Sequence, residues 1–399
     1  MDEVNLLKNI TVLSLEQATV LPYLTLRLAE DGANVIRMEH PIYGDPNRRI
    51  GDDVLKEDRM FSYYLSINAG KKALTLDLAT PEGQKILKEL ILKLKVDIFA
   101  TNQLPRNYPK LGIEYEMLQK IKEDIIWLGM TGFGPQSNEA AYDPVLQARG
   151  GLMELTGEKG ATPQVMGIPL PDMGASEHGY GLLMKALFKR AVTGQGTRID
   201  LSMFESTVSW LTQAITHTVT FKKKVSRRGN THEFFAPVSV YETKNGYTYI
   251  AVGNDRQWET MTKIPGFESL YKKEYERNAG RIADVDNLNN AINRVTKKFT
   301  TEELMDIFTK ATIAISKVNT VEEVVEDPYV KPNLIRSKDP KTGVDITVAP
   351  PPFNTPYLKS VNRILSFPPR FGEHNEEIYS GLLGYSAAQL KEFKEKNII

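Results

Sequence analysis

Residues 10–39 read ITVLSLEQATVLPYLTLRLAEDGANVIRME, and the order of apolar runs in this stretch sets the fold class. Residues 10–15 (ITVLSL) are a short apolar run of the kind a buried strand shows. Gln17, Ala18 and Thr19 follow as a loop. Pro22 opens a helix pattern that reaches Ala29, and Gly32 stops it. Residues 34–39 (NVIRME) read as a second strand. Strand, loop, helix and strand in that order indicate a parallel α/β sheet. The turn after the first strand lacks G-x-G-x-x-G, which disfavours a dinucleotide-dependent dehydrogenase.

The alternation continues downstream. Residues 68–78 (NAGKKALTLDL) place Lys71 and Lys72 ahead of a strand. Thr80-Pro81-Glu82 starts a helix with a cap, a proline at the first position and an acid. That helix runs to about Lys95. Residues 96–100 and 125–130 are strands, and 113–122 are helical. Four strands alternating with helices are therefore expected before residue 131. Ligands of such sheets bind beyond the carboxyl ends of the strands, which here are residues 17–20, 40–49, 102–104 and 131–135. Arg48, Arg49, Lys71, Lys72 and Lys110 are candidate cations for an anionic ligand, each weighed against a plain solvated role.

Residues 167–200 read GIPLPDMGASEHGYGLLMKALFKRAVTGQGTRID. A loop rich in Pro and Gly brings one carboxylate, Asp172, against Gly174, Ala175 and Ser176. A helix pattern follows through Leu187, and residues 198–201 are extended. Asp172 reads either as a helix N-cap or as a nucleophile whose small neighbours admit a bulky substrate. Residues 203–219 form a long amphipathic helix with Trp210 and His217, and 222–228 (KKKVSRR) a basic linker. Residues 237–242 and 247–253, around Lys244-Asn245-Gly246, read as a β-hairpin, and Trp258 begins a helix. The expected organisation is a large α/β domain over 1–221, a small α+β domain over 229–317, an irregular return over 318–354, and a last part of the large domain over 355–399.

With 399 residues, about two domains are expected. Lys+Arg and Asp+Glu both number 50, so the formal net charge is zero and a broad nucleic-acid or membrane footprint is disfavoured. There is no Cys, which excludes disulfides and thiolate catalysis. No apolar run approaches the ~20 residues of a membrane span. The opening MDEVNLLKN is acidic, without a signal-peptide core, so a cytoplasmic enzyme is expected. No two histidines have a spacing that suggests a metal site.

The motifs LAEDGANVIRMEHPIYGD, NAGKKALTLDL with TPEG, YDPVLQARGG, PDMGASEHG, TGQGTRIDLSMFE, RRGNTH and GEHNEEIYSGLLGYS occur in that order. In order and spacing the chain resembles the family III CoA-transferases (CaiB/BaiF type), the group of formyl-CoA:oxalate and carnitine CoA-transferases. The resemblance implies a large Rossmann-like parallel-sheet domain built from both ends of the chain, a small α+β domain inserted in it, and two chains interlocked as a homodimer. It implies acyl-CoA or CoA as substrate, a free carboxylic acid as acceptor, and no tightly bound cofactor. It makes Asp172 the nucleophile, with Gln17, Thr19 and Tyr142 supporting the reacting carbonyl. Thr19, Val20, His40, Leu76, Asp77, Leu78, Ala79, Asn102, Gln103, Leu104, Lys110, Ala140, Ala141, Tyr142 and Asp143 match CoA contacts.

There are departures from the family pattern. Val20-Leu21-Pro22 stands where Ala-Gly-Pro is common, and Pro171 replaces the usual glycine before the nucleophile. Residues 229–237 (GNTHEFFAP) lack the glycine-rich lid of the oxalate enzymes. This argues for an acid larger and more apolar than oxalate, with His232, Phe234 and Phe235 lining its place. His178, His217 and His374 are read as structural. One rival is an α-methylacyl-CoA racemase-like isomerase, whose His-Asp pair is here Ala141-Tyr142-Asp143, without the base. Another is a structural subunit of a heteromeric transferase, which retention of Asp172 opposes.

Overall fold

The computed structural model describes residues 5–399. Contacts divide the chain into two units. The first comprises the described part of Met1–Gly151 with Met166–Thr216 and Pro328–Ile399; the second comprises Leu152–Val165 and His217–Asp327.

The first unit is organised on six parallel strands: β1 (Thr11–Leu15), β2 (Asn34–Glu39), β3 (Lys72–Thr75), β4 (Ile98–Thr101), β5 (Ile126–Thr131) and β6 (Thr197–Ser202). Their order is β3-β2-β1-β4-β5-β6. Five strands precede residue 132: the strand expected after Lys71 is Lys72–Thr75, which pairs along β2 and adds to the four counted from the sequence. Inward positions alternate with the period of two that a strand imposes. Leu13, Ile36, Phe99 and Trp127 enter one core. Val12, Val35, Ile98 and Leu128 enter the other. A sheet buried on both faces explains why its strands read as continuous apolar runs. The strand order reverses between β1 and β4, and the crevice beyond their carboxyl ends is where such sheets take ligands.

Helix α1 (Val20–Glu30) covers one face, and α2 (Pro81–Lys93) and α3 (Tyr115–Ile121) cover the other. Next come α4 (Asp143–Arg149) and the 24-residue α5 (Leu170–Thr193), which ends at Gly194 in the left-handed region, φ 73°. The helix α5 begins at Leu170, earlier than the sequence pattern shows, because Pro171 is tolerated in a first turn. Asp172 is therefore a helical residue and not part of the preceding loop. The expected single helix over 203–219 is two helices, α6 (Met203–Ser209) and α7 (Thr212–Val219), broken where Trp210 stacks on His178 at 5.1 Å.

Helices α1 and α5 run side by side in the same direction. Ser176 Oγ donates to the Val20 carbonyl at 2.5 Å, and Leu24 lies so close to Gly179 that a Cβ there would sit 2.5 Å from Leu24 Cδ1. That register sets the first turn of α5 level with the loop preceding α1.

The second unit has its own sheet, β7 (Val238–Thr243), β8 (Gly246–Ala251) and β9 (Ala314–Lys317), antiparallel and in that order. Helices α8 (Asp255–Met261), α9 (Val285–Thr296) and α10 (Thr301–Lys310) bury Trp258, Leu288, Ile292, Leu304 and Phe308 against it. Residues 152–165 belong here, although the sequence reading kept them in the large domain. Arg227 N donates to Glu154 O and Gly229 N to Gly157 O, both at 2.9 Å. Residues 318–354 are less irregular than expected, with a short antiparallel pair, Ile335–Lys338 and Asp345–Val348. Among the described residues no helix is long and apolar enough to cross a membrane, and no group of His, Cys, Asp and Glu could hold a metal ion.

Candidate active site

Asp172 occupies the third position of α5, whose N-cap residue, Pro169, offers no side-chain cap. The Asp172 carboxylate accepts no hydrogen bond among the described residues, so the capping reading fails. The cap comes from elsewhere: the Asp172 backbone N–H donates to Asp143 Oδ2 at 3.1 Å. Asp143 opens α4, is buried, and accepts at Oδ1 from Gln147 Nε2 at 2.6 Å. The buried Gln147 in turn accepts from Met166 N at 2.9 Å through Oε1. A chain of three side-chain and backbone groups thus fixes the turn bearing Asp172 while leaving its carboxylate free.

Burial, and then the Asp143 charge, push the Asp172 carboxyl up to about 7. Burial also raises Asp143, with Gln147 and the Asp172 amide opposing it. A carboxylate short of water and without donors is strongly nucleophilic once ionised.

The loop facing this turn is 17–19. Asn102, after β4, closes the crevice between β1 and β4: its Oδ1 accepts from Gln17 N at 3.1 Å, and its Nδ2 donates to Gln17 O at 2.7 Å. The Gln17 side-chain amide has no partner among the described residues. Thr19 Oγ1 lies 2.8 Å from Tyr63 Oη and gives α1 no cap. The N–H groups of Val20 and Leu21, in the first turn of α1, have no hydrogen-bond partner among the described residues.

The remaining predicted positions lie along the same edge of the sheet. His40, after β2, is half-exposed, accepts at Nδ1 from Ile42 N at 3.1 Å and lies 3.8 Å from Asp77 through Nε2. Leu76 and Leu78 are buried in the core, so only their backbone can meet a ligand, and Asp77 accepts from Ala79 N at 2.9 Å. Gln103 and Leu104 are half-buried, and Lys110 is exposed. Ala140 is exposed, Ala141 lies against Gly132 just past β5, and Tyr142 is 72% exposed, with no hydrogen bond from its hydroxyl among the described residues. In the second unit, His232, Phe234 and Phe235 form an aromatic cluster, with His217 5.3 Å from Phe234 and His232 5.2 Å from Phe235.

Two predicted cations are neither ligand-binding nor solvated. Lys71 is buried on Glu16 at 3.1 Å, and Arg48 on Glu39 at 2.6 Å. Burial works against an ionised Glu16, but Lys71 and Arg37 outweigh it and hold that carboxyl low. Arg49 and Lys72 are surface ion pairs with Asp58 and Glu377. Sequence reasoning missed Asp45, Asn47 and Gln147. Only Gln147 left a trace, four residues after Asp143 on one helix face.

A doubly wound parallel sheet, with a buried carboxylate near its carboxyl edge and no phosphate-binding glycine loop, is the frame of an α/β enzyme and not of a dinucleotide-dependent dehydrogenase. Residues 7–375 match CoA-transferase family III, and the chain belongs to that family. It is an enzyme of the CoA-transferase type. It is 28% identical to human succinyl-CoA:glutarate CoA-transferase, over all of this chain and 91% of that one. It is 27% identical to succinate–glutarate CoA-transferase of Agrobacterium fabrum, over 94% and 95% of the two chains. Among solved structures it is similar to a CaiB/BaiF family protein from Brucella suis, with TM-score 0.81 and 29% identity over 94% of this chain and 99% of that one.

Proposed function

We propose that this enzyme moves coenzyme A from an acyl-CoA donor to a free carboxylic acid through covalent intermediates on Asp172. The observation that carries the reading is a carboxylate without donors, held by its own backbone at the sheet's carboxyl edge. Asp172 attacks the thioester carbonyl, the C–S bond breaks, and a mixed anhydride and CoA thiolate result. The thiolate attacks the aspartyl carbonyl, the donor acid leaves as its carboxylate, and an aspartyl-CoA thioester forms. The acceptor carboxylate attacks that carbonyl and expels the thiolate. The thiolate then takes the acceptor's acyl carbon and frees Asp172. One thioester is consumed and one is made, so no other energy source is needed.

Each attack develops an oxyanion. The unpartnered Gln17 amide is the proposed donor, a role worth ~10²–10³ in rate. Thr19, Val20, His40, residues 76–79, Asn102, Gln103, Leu104, Lys110 and 140–143 are the proposed CoA surface. His232, Phe234 and Phe235 are the proposed acceptor lining. The relatives' printed names support a short dicarboxylic acid as acceptor, and the aromatic residues at 234 and 235 support one larger than oxalate. A homodimer belongs to the same reading, supported by exposed Trp210 and Ile215.

The test uses succinyl-CoA with glutarate, mesaconate, oxalate and a monocarboxylate as acceptors. Hydroxylamine is added during turnover, and the peptide containing Asp172 is weighed. Transfer to glutarate above oxalate and a hydroxamate mass shift on that peptide are expected. Asp172→Asn is expected to bind CoA and transfer nothing; sustained turnover by that variant overturns the mechanism.

A further inference from the structure

Ala18, in the loop facing Asp172, has φ 61°, a left-handed conformation that alanine avoids and glycine adopts freely. Such a conformation persists only where the surroundings enforce it. Both of its peptide groups are held by one loop after β2. The Ala18 N–H donates to Asp45 Oδ1 at 3.0 Å, and its carbonyl accepts from Asn47 Nδ2 at 2.7 Å. Asp45 Oδ1 also accepts from Asn47 N at 2.9 Å, while Asp45 Oδ2 pairs with the fully buried Arg37 at 2.7 Å. Asp45 and Asn47 are themselves buried. The clamp is rooted in the charged interior under the sheet edge and grips one strained peptide, between Gln17 and Thr19.

We propose that Asn47 and Asp45 are positioning residues for the transfer reaction: they hold Ala18 left-handed and so fix the direction of Gln17 and the loop opposite Asp172. This rests on the reading of Asp172 as nucleophile. The substrate meets neither residue; they act through Ala18. Without the clamp, alanine relaxes toward a right-handed or extended conformation and turns the Gln17–Thr19 loop away. Glycine at 18 has no such drive.

The experiment compares Asn47→Ala, Ala18→Gly and the double variant with the wild type, using succinyl-CoA and glutarate. Asn47→Ala is expected to lower kcat about 10- to 100-fold, with KM for acyl-CoA within about three-fold and an unchanged circular dichroism spectrum. The double variant is expected to regain at least about ten-fold over Asn47→Ala, because glycine keeps the conformation unaided. A purely structural Asn47 gives no such rescue. Wild-type kcat in Asn47→Ala, or a double variant no faster than Asn47→Ala, overturns the proposal. Should Asn47→Ala not fold, Ala18→Val decides: a β-branched residue opposes φ 61°, so it is expected to lower kcat as Asn47→Ala does, and wild-type kcat overturns the proposal. Asp172→Asn is run beside these variants. Turnover there defeats the nucleophile reading, whereas an inactive Asp172→Asn with a fully active Asn47→Ala defeats the clamp alone.

Discussion

Asp172 is costly to the fold because its carboxyl is buried beside Asp143 and has no hydrogen-bond donor among the described residues. Its carboxyl titrates near 7 in the folded chain, against 3.8 when exposed. The folded state therefore binds the proton more tightly, and stability is lost as pH rises from about 4 to about 7. Asp172→Asn is expected to be more stable than the wild type at pH 8 by about 1–2 kcal/mol, a figure discounted because the carboxyl is partly open to solvent. The two should match at pH 4. Denaturant unfolding at both pH values checks this, and equal stability at pH 8 counts against a desolvated carboxylate. The same titration governs rate, since only the ionised form attacks, so kcat/KM is expected to fall as pH drops through about 7. Asp143→Asn removes the neighbouring charge and is expected to move that acid limb down by about half a unit to one unit. Gln147→Ala, which leaves the charge in place, should lower kcat without that movement. In the sequence Asp172 stood out as a candidate nucleophile only through the order of motifs around it, since its immediate setting read equally as a cap. Asp45 and Asn47 were illegible because they serve a backbone peptide 27 and 29 positions away, and no periodicity records such a contact.

At the scale of elements, the site depends on the register of α1 against α5. Gly179 sets it, since a Cβ there would lie 2.5 Å from Leu24 Cδ1 and 2.9 Å from Met130 Cε. Both neighbours are ends of flexible side chains, so Gly179→Ala is expected to be tolerated with modest loss. Gly179→Val forces the helices apart and is expected to cost about 1–3 kcal/mol. It should also lower kcat more than Gly179→Ala does, because the turn bearing Asp172 moves with the helix. Unfolding and steady-state rates of the two variants check this, and equal kcat in both would separate the register from catalysis. Most strands and helices were legible as apolar runs and caps, Thr80 on α2 among them, where the side chain accepts from Gly83 N at 3.0 Å. The start of α5 was not, because two prolines read as loop. Nor was the break at Trp210, the residue that stacks on His178, a tertiary contact that no local pattern records. Lys71 and Arg48 were misread because charge alone does not reveal a buried partner, whether 55 positions away, as Glu16 is from Lys71, or nine, as Glu39 is from Arg48.

On the scale of the whole molecule, the carboxyl edge of the sheet is finished by residues more than 290 positions from its first strands. Tyr379 Oη donates to Thr75 O at 2.6 Å, and Asp77 N donates to Ile398 O at 2.8 Å. Ile378, Tyr379, Tyr385, Leu390, Phe393, Ile398 and Ile399 belong to the same core as Leu76 and Leu78. The turn at 77–79, a proposed CoA contact, is thus held between β3 and the final residues. Replacing both Ile398 and Ile399 by Ala deletes side chains that are each 7% exposed, at about 2–5 kcal/mol apiece for well-buried positions. That is a large share of the ~5–15 kcal/mol that keeps a protein folded. The backbone bond to Asp77 survives the substitution, but the packing that fixes its direction does not. The double variant is expected to unfold at distinctly lower denaturant and to show KM for acyl-CoA raised about three- to ten-fold with kcat within about two-fold, because the turn bearing Asp172 is held separately, through Asp143 and Gln147. Denaturant titration and initial rates against acyl-CoA concentration check both halves. A fall in kcat at unchanged KM would place residues 77–79 outside the CoA surface.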